Sequence, residues 1–182
     1  MSKRKISMVI LCEDRQQEVF ARQYLIECGV PRSKIRINIC PKGKQAGEQY
    51  VRSQYPIEVK AHRSKSPYLS IGLTVVIDAD RLTVQDRLRQ LDEALQESSQ
   101  RERQTDERIG IFVPKRNIET WIHYLRGNTV DEKRKEPYPK LECESDCKPL
   151  VGDLVRECSQ GLSSIAPDSL KQACSELKRI LP

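Results

Sequence analysis

Several features that mark common protein classes are missing from this sequence. The N-terminal apolar run within MSKRKISMVILCEDR is about seven residues, too short to span a membrane, and no small-residue cleavage site follows it. A cytoplasmic chain with no membrane partner is therefore expected. Histidine occurs only as His62 and His123, and the seven cysteines are odd in number and irregularly spaced. That pattern argues against a disulfide framework, and the lone C-x-x-x-C of Cys143 and Cys147 lacks the second pair a structural zinc needs. Buried, reduced thiols are the expected state. No G-x-S-x-G elbow is present to position a nucleophilic serine. In PKGKQAG, Gln45 stands where a Walker A loop requires Ser or Thr. Internal repeats and low-complexity segments are also absent.

What remains is a well-charged globular chain. Its 182 residues suit one domain with a small addition and can bury a proper core. Charged residues make up 32% against 37% hydrophobic, as for solvated helices around short apolar runs. The net charge of +6 and pI near 9.0 mildly favour anionic partners, nucleic acid among them.

Those runs alternate with helical patterns. ISMVILC (residues 6–12) reads as a strand covered on both faces, and EVFARQYLIECG places Val19, Phe20, Tyr24 and Leu25 on one helical side before Gly29 ends it. KIRINIC alternates like a more exposed strand. PKGKQAGEQYVRSQYP then turns into a helix expected to stop before Pro56, leaving residues 57–67 as a short helix or loop. SIGLTVVI is a third, buried strand. After DADR, Thr83 and Asp86 form a capping-box pattern ahead of the stripe Val84, Leu88, Leu91 and Leu95. A polar linker, SSQRERQTDER, precedes a fourth strand, IGIFV, and the short helix IETWIHYLRG. Past Gly127 the period is lost in an exposed connection, followed by helical stretches near residues 149–158 and 169–177.

The expected fold is α/β: a mostly parallel sheet of four to five strands flanked by helices, Rossmann-like, over residues 1–127. Residues 128–182 read as a linker and a helical C-terminal appendage.

Ligands in such sheets gather at the carboxyl ends of strands, and here those ends are acidic. Glu13 and Asp14 follow the first strand, Asp78 and Asp80 the third, and Glu119 opens the helix after the fourth. Each alone has a structural explanation as a cap, a turn or a helix-dipole partner. Together their mutual repulsion calls for a cation, and hard oxygen donors suit Mg²⁺ or Mn²⁺. Lys115 and Arg116 precede Glu119 and could hold a phosphate, although a solvated basic loop explains them equally well. Lys42 and Lys44 lie before a helix N-terminus, a second place for phosphate.

In order and placement, LCEDRQQE, VVIDAD and FVPKRNIETWI resemble the TOPRIM domain, over roughly residues 5–126. The last segment is similar to the Asp-Ile-Glu helix of the OLD-like defence nucleases, with Asn117 where that group often has Asp. Asp14 stands where the family usually has Gly, and Glu18 falls one position later than its usual second acid. The resemblance implies a metal-dependent nuclease acting on DNA or RNA, in which Glu13, Asp78, Asp80 and Glu119 hold metal or do acid–base work. It also implies Lys115 at the reaction centre, and a partner ATPase or other subunit in a defence system. Oligomers are compatible with it.

Other readings fit less well. A haloacid-dehalogenase-like phosphatase would carry its Asp-x-Asp after the first strand, and a metal-dependent glycosyltransferase would leave Glu13 and Glu119 unexplained. A non-catalytic TOPRIM-like module that binds nucleic acid, nucleotide or a partner is the principal alternative.

Overall fold

The computed structural model describes residues 5–181. Strand β1 (Ser7–Cys12) is followed by α1 (Arg15–Glu27), β2 (Ile35–Ile39), α2 (Gly47–Lys65) and β3 (Ile71–Val76), and then by α3 (Val84–Glu97), β4 (Ile109–Phe112) and α4 (Glu119–Leu125). Helices α5 (Lys148–Gln160) and α6 (Asp168–Ile180) complete the chain. The four strands form one sheet in the order β2-β1-β3-β4, with every pairing parallel. The α/β class and the parallel sheet are as expected from the alternation of elements. Among the described residues no helix is long and apolar enough to cross a membrane.

Side-chain alternation along the strands builds two cores. Met8, Ile10 and Cys12 of β1 point to one face, where they meet α1, α4, α5 and α6. Leu11, Leu73, Val75 and Ile109 point to the other, where α2 and α3 lie. Local signals set the helix ends. The Asp14 carboxylate caps α1 by accepting the Gln17 N–H at 2.9 Å, and the Thr83–Asp86 capping box starts α3 as its sequence predicts. Gly29 and Gly127, both at positive φ, follow α1 and α4.

Helix α2 does not stop at Pro56. It continues to Lys65, absorbing residues left open as a short helix or loop. The missing N–H and ring clash of an interior proline cost roughly 3 kcal/mol. Against that, Val51, Tyr55, Val59 and His62 recur at helical spacing and are all buried, so the stripe holds the helix through the proline. The Pro56 carbonyl accepts the Gln100 side-chain N–H at 2.8 Å.

The C-terminal helices share the core of the first 127 residues. Phe20, Trp121, Leu154, Leu170 and Ile180 belong to one apolar cluster, so the change in composition after Gly127 is not a break in packing. Two cysteines depart from the reduced state expected of them: Cys158 of α5 and Cys174 of α6 form a disulfide. Helix packing brings their Cα atoms to 5.4 Å, a proximity that spacing along the chain does not reveal. Cys12 and Cys147 are buried thiols, as expected. In the connection after α4, Tyr138 is buried, stacked on His123 at 4.4 Å and covered by the Arg134 guanidinium.

Helix α6 also closes the open edge of β4. The Glu176 carboxylate accepts the outward N–H of Ile111 at 2.9 Å and is paired bidentately with Arg103, both side chains 14% exposed. Gly110 admits this approach, because a Cβ there would lie 3.2 Å from Ile180 and 3.3 Å from the Glu176 carbonyl. Removing the carboxylate would leave the edge N–H without a partner and Arg103 without its counter-charge, with only the Ile109 carbonyl to donate to, so Glu176→Ala is expected to cost about 3 kcal/mol in urea denaturation. Loss within a few tenths of a kcal/mol of zero would show that α6 is only loosely attached.

Candidate functional site

The chain passes from β2 across β1 to β3, so β1 and β3 are neighbours whose onward connections diverge. After β1 the chain turns to α1 on one face of the sheet, and after β3 to α3 on the other. This switch point opens a crevice at the carboxyl ends of the two strands. Glu13 is the first residue beyond β1, and Asp78 is the second beyond β3.

The two are joined directly. Glu13 Oε1 accepts the Asp78 main-chain N–H at 2.5 Å, and the Glu13 N–H donates to Gln17 Oε1 at 2.9 Å. Glu13 rests on the first residue of α2, Gly47, where a Cβ would come within 2.7 Å of Glu13 Cβ and 3.0 Å of Oε2. A side chain at position 47 would push Glu13 out of place. Burial raises the Glu13 pKa to about 7, with Asp80 and Asp14 adding to the rise against the pull of the hydrogen bonds from Asp78 and Gln17.

Asp78 is the most enclosed of the carboxylates. It is 7% exposed, and its Oδ1 is buried with no hydrogen-bond partner. Burial, followed by the charges of Glu13, Asp14, Glu119 and Asp80, pushes its pKa well above the usual carboxylate range. All the acids singled out from the sequence thus act on this one group.

Asp80 faces differently. Its backbone is left-handed, with φ 53°, which Asp tolerates better than most residues. Its half-exposed carboxylate pairs with Arg87 at 3.2 Å. The buried Arg87 guanidinium also donates to the Asp78 carbonyl at 2.9 Å, Gln90 Oε1 at 2.8 Å and Glu48 Oε2 at 3.1 Å. Burial raises the Asp80 pKa while Arg87 and Arg116 hold it back. The loop is locked to the exit of β4 by main-chain bonds from Ala79 to Pro114 and from Asp80 to Arg116.

Glu119 is 4% exposed and lines a cavity of about 670 Å³ with Glu13 and Asp14, while Lys42 and Lys140 contribute cations to its wall. Burial and then Asp14 raise the Glu119 pKa, which Lys140 moderates. Asp14 and Glu18, two of the positions where the chain departs from the pattern it resembles, both have structural work. Asp14 caps α1, and the buried Glu18 is ion-paired with Arg15 and Arg22.

The remaining basic residues do not gather here. Lys115 directs its ammonium to the Leu82 carbonyl, and burial followed by neighbouring Arg116 lowers its pKa. Arg116 donates to the carbonyls of Arg134 and Asp80, which fastens the Asp80 loop. Lys44 is exposed and outside the cavity wall.

Divalent metal can be tested against this donor set. Hard carboxylate oxygens, a buried Asp78 Oδ1 with no partner, and acids raised by mutual repulsion all fit Mg²⁺ or Mn²⁺ chemically. Among the described residues, however, no group of three or more His, Cys, Asp or Glu side chains is arranged to hold an ion. Asp80 is turned to Arg87 and Glu119 lies on the Asp14 side, so Glu13 and Asp78 form the centre of the site.

Sequence reasoning missed Arg87, Gln17, Gly47 and Lys140. Arg87 left a signal, a charge three residues after Val84 on the side of α3 whose later positions, Leu91 and Leu95, are fully buried. The other three are distinguished only by what they approach in space.

Because the folded protein favours protonated Glu13, the stability this group contributes is present below about pH 4.5. It is lost as pH rises through about 7, by an amount on the order of 3 kcal/mol. Glu13→Gln is therefore expected to raise the urea midpoint at about pH 8 and to leave it unchanged near pH 4.5. Parallel pH profiles for wild type and variant would contradict the half-buried, raised carboxyl. Compared with family models, curated proteins and solved structures, the chain has no match, so the reading of this site rests on its own residues.

Proposed function

We propose that the chain is a metal-dependent nuclease that hydrolyses phosphodiester bonds of DNA or RNA at the crevice between β1 and β3. One observation carries this reading: a buried Asp78 carboxylate with an unpartnered oxygen, bonded through its main chain to a Glu13 whose pKa lies near 7. Two adjacent acids with strongly raised pKa values at a switch point suit proton transfer better than structural pairing.

Glu13 Oε1 is occupied by the Asp78 N–H, which leaves Oε2, on the Gly47 side, as the atom to accept the proton of an attacking water. Asp78, with Asp80 and Glu119, would hold Mg²⁺ or Mn²⁺. When bound, the cation supplies a lowered pKa for water and charge stabilisation for the leaving oxygen. Lys42 and Lys140 sit where a phosphate entering the cavity would meet positive charge. Arg87 holds the Asp78 carbonyl and the Asp80 carboxylate in position, and Arg116 acts on the same loop from the β4 side. A second subunit and a role in defence belong to the same TOPRIM-like reading.

A binding module without catalysis is the second reading. It is favoured by the pairing of Asp80 with Arg87 and by the lack of a ready-made coordination group among the described residues.

Two measurements separate these. Labelled single- and double-stranded DNA and RNA, incubated with the protein in Mg²⁺ or Mn²⁺, should be cleaved by wild type and at least about 100-fold more slowly by Glu13→Gln and Asp78→Asn. No cleavage of any substrate, or cleavage by both variants as fast as by wild type, would reject the nuclease. Calorimetric titration with Mn²⁺ should show binding that Asp80→Ala weakens, and heat no greater than dilution would reject the metal site.

A further inference from the structure

A second cavity, of about 850 Å³, lies at the opposite end of the sheet, between the C-terminal end of α2, the turn into β3 and the segment leading to β4. With strands rising about 3.3 Å per residue, it is roughly 20 Å from Glu13, too far for one nucleotide to reach both. Its lining includes His62, which is 6% exposed and has both ring nitrogens buried without hydrogen-bond partners. The Ile71 backbone is near enough to favour a charged ring but does not complete a hydrogen bond. Burial nevertheless lowers the His62 pKa, against the pull of Glu107 and with the push of Arg63 and Arg108, so the imidazole is neutral in the free protein.

The surrounding charge indicates the ligand. Arg63 pairs with Glu107 through bonds of 2.6 and 3.0 Å, and two more of its donors go to the Arg101 and Glu102 carbonyls. Lys60, Arg101 and Arg108 are then opposed in the cavity wall only by Asp106. Arg108 spends one nitrogen on Ser70 Oγ at 3.0 Å, and Arg101 reaches Glu107 only at 3.6 Å, with a side chain 66% exposed. The end of α2 disfavours an anion only weakly, because its His62 and Lys65 carbonyls already accept the N–H groups of Ser66 and Leu69. At the rim, Tyr68 is 86% exposed, the most exposed large apolar side chain among the described residues.

We propose that this cavity binds a nucleotide phosphate, free or within a nucleic-acid strand. Arg101, Arg108 and Lys60 bind the phosphate and the Tyr68 ring stacks on the base, while His62, in the same cavity lining, senses the bound charge without touching it. The site is independent of catalysis at Glu13: it requires no metal and no hydrolysis. Where the nuclease reading also holds, it adds a second grip on the strand.

Because the chain has only two histidines, imidazole NMR signals report on this site directly, with His123 as the internal reference. The full chain, kept in EDTA at low ionic strength, is titrated with inorganic phosphate, AMP and a short single-stranded oligonucleotide. Saturable shifts of the His62 resonances with an unmoved His123 are expected, together with a rise in the His62 pKa. Nucleotide should bind more tightly than phosphate. Equal affinity for AMP and oligonucleotide would identify a free nucleotide as the ligand, and tighter oligonucleotide binding would identify a strand. Arg101→Ala with Arg108→Ala should weaken binding at least tenfold, about 1.4 kcal/mol. Tyr68→Ala should remove the preference for nucleotide over phosphate. Tyr68 and Lys60 are exposed, so Tyr68→Ala and Lys60→Ala keep the test decisive if the arginine variant fails to fold. Unperturbed His62 resonances with every ligand, or binding unaltered by Tyr68→Ala and Lys60→Ala, would overturn the proposal.

Discussion

The bond from the Asp78 main-chain N–H to Glu13 Oε1 joins the exits of β1 and β3 where their connections separate. Much of the surrounding structure follows from holding that carboxylate inside. Gly47 must lack a side chain because Glu13 lies against it. Gln17 must reach back from α1 to accept the Glu13 N–H, and α1 starts in the right place because Asp14 caps it. Burying Asp78 beside Glu13 concentrates like charge in a poorly solvated place, and both groups respond with raised pKa values. Arg87 is the protein's own partial answer, a buried guanidinium that ties the Asp78 carbonyl, Asp80 and Glu48 together without touching the Asp78 carboxylate.

The rest of the fold supplies the rigidity that this charge requires. Helices on both faces of the parallel sheet leave its central strands dry, and α6 covers the β4 edge through Glu176 and Ile111. The disulfide joins α5 to α6, so the C-terminal helices are tied to each other as well as to the sheet. The exit of β4 continues to pair with residues 77–80 through the main chain, which extends the ordered scaffold into the loop that carries the carboxylates.

Opposite ends of the sheet have opposite electrostatic character. The carboxyl end gathers Glu13, Asp14, Asp78 and Glu119, with lysines in the cavity wall. The amino end gathers arginines and a neutral buried histidine. A net charge of +6 hides this division, since composition averages over both ends.

Periodicity and caps are local properties, so the sequence by itself determined the four strands, the α/β class, the Thr83–Asp86 helix start and the acidic strand ends. Contacts between distant residues are not local, and only the tertiary structure decided them. A proline at position 56 reads as a stop until the buried stripe on both sides of it is seen. Cys158 and Cys174 read as isolated thiols until two helices are packed. Lys115 and Arg116 read as neighbours of Glu119 in the chain, yet a left-handed Arg116, with φ 68°, and bonds to Leu82 and Arg134 turn both away from it. The order of the strands chose which acids meet. Glu13 and Asp78 are 65 residues apart, and they touch because β1 and β3 lie side by side.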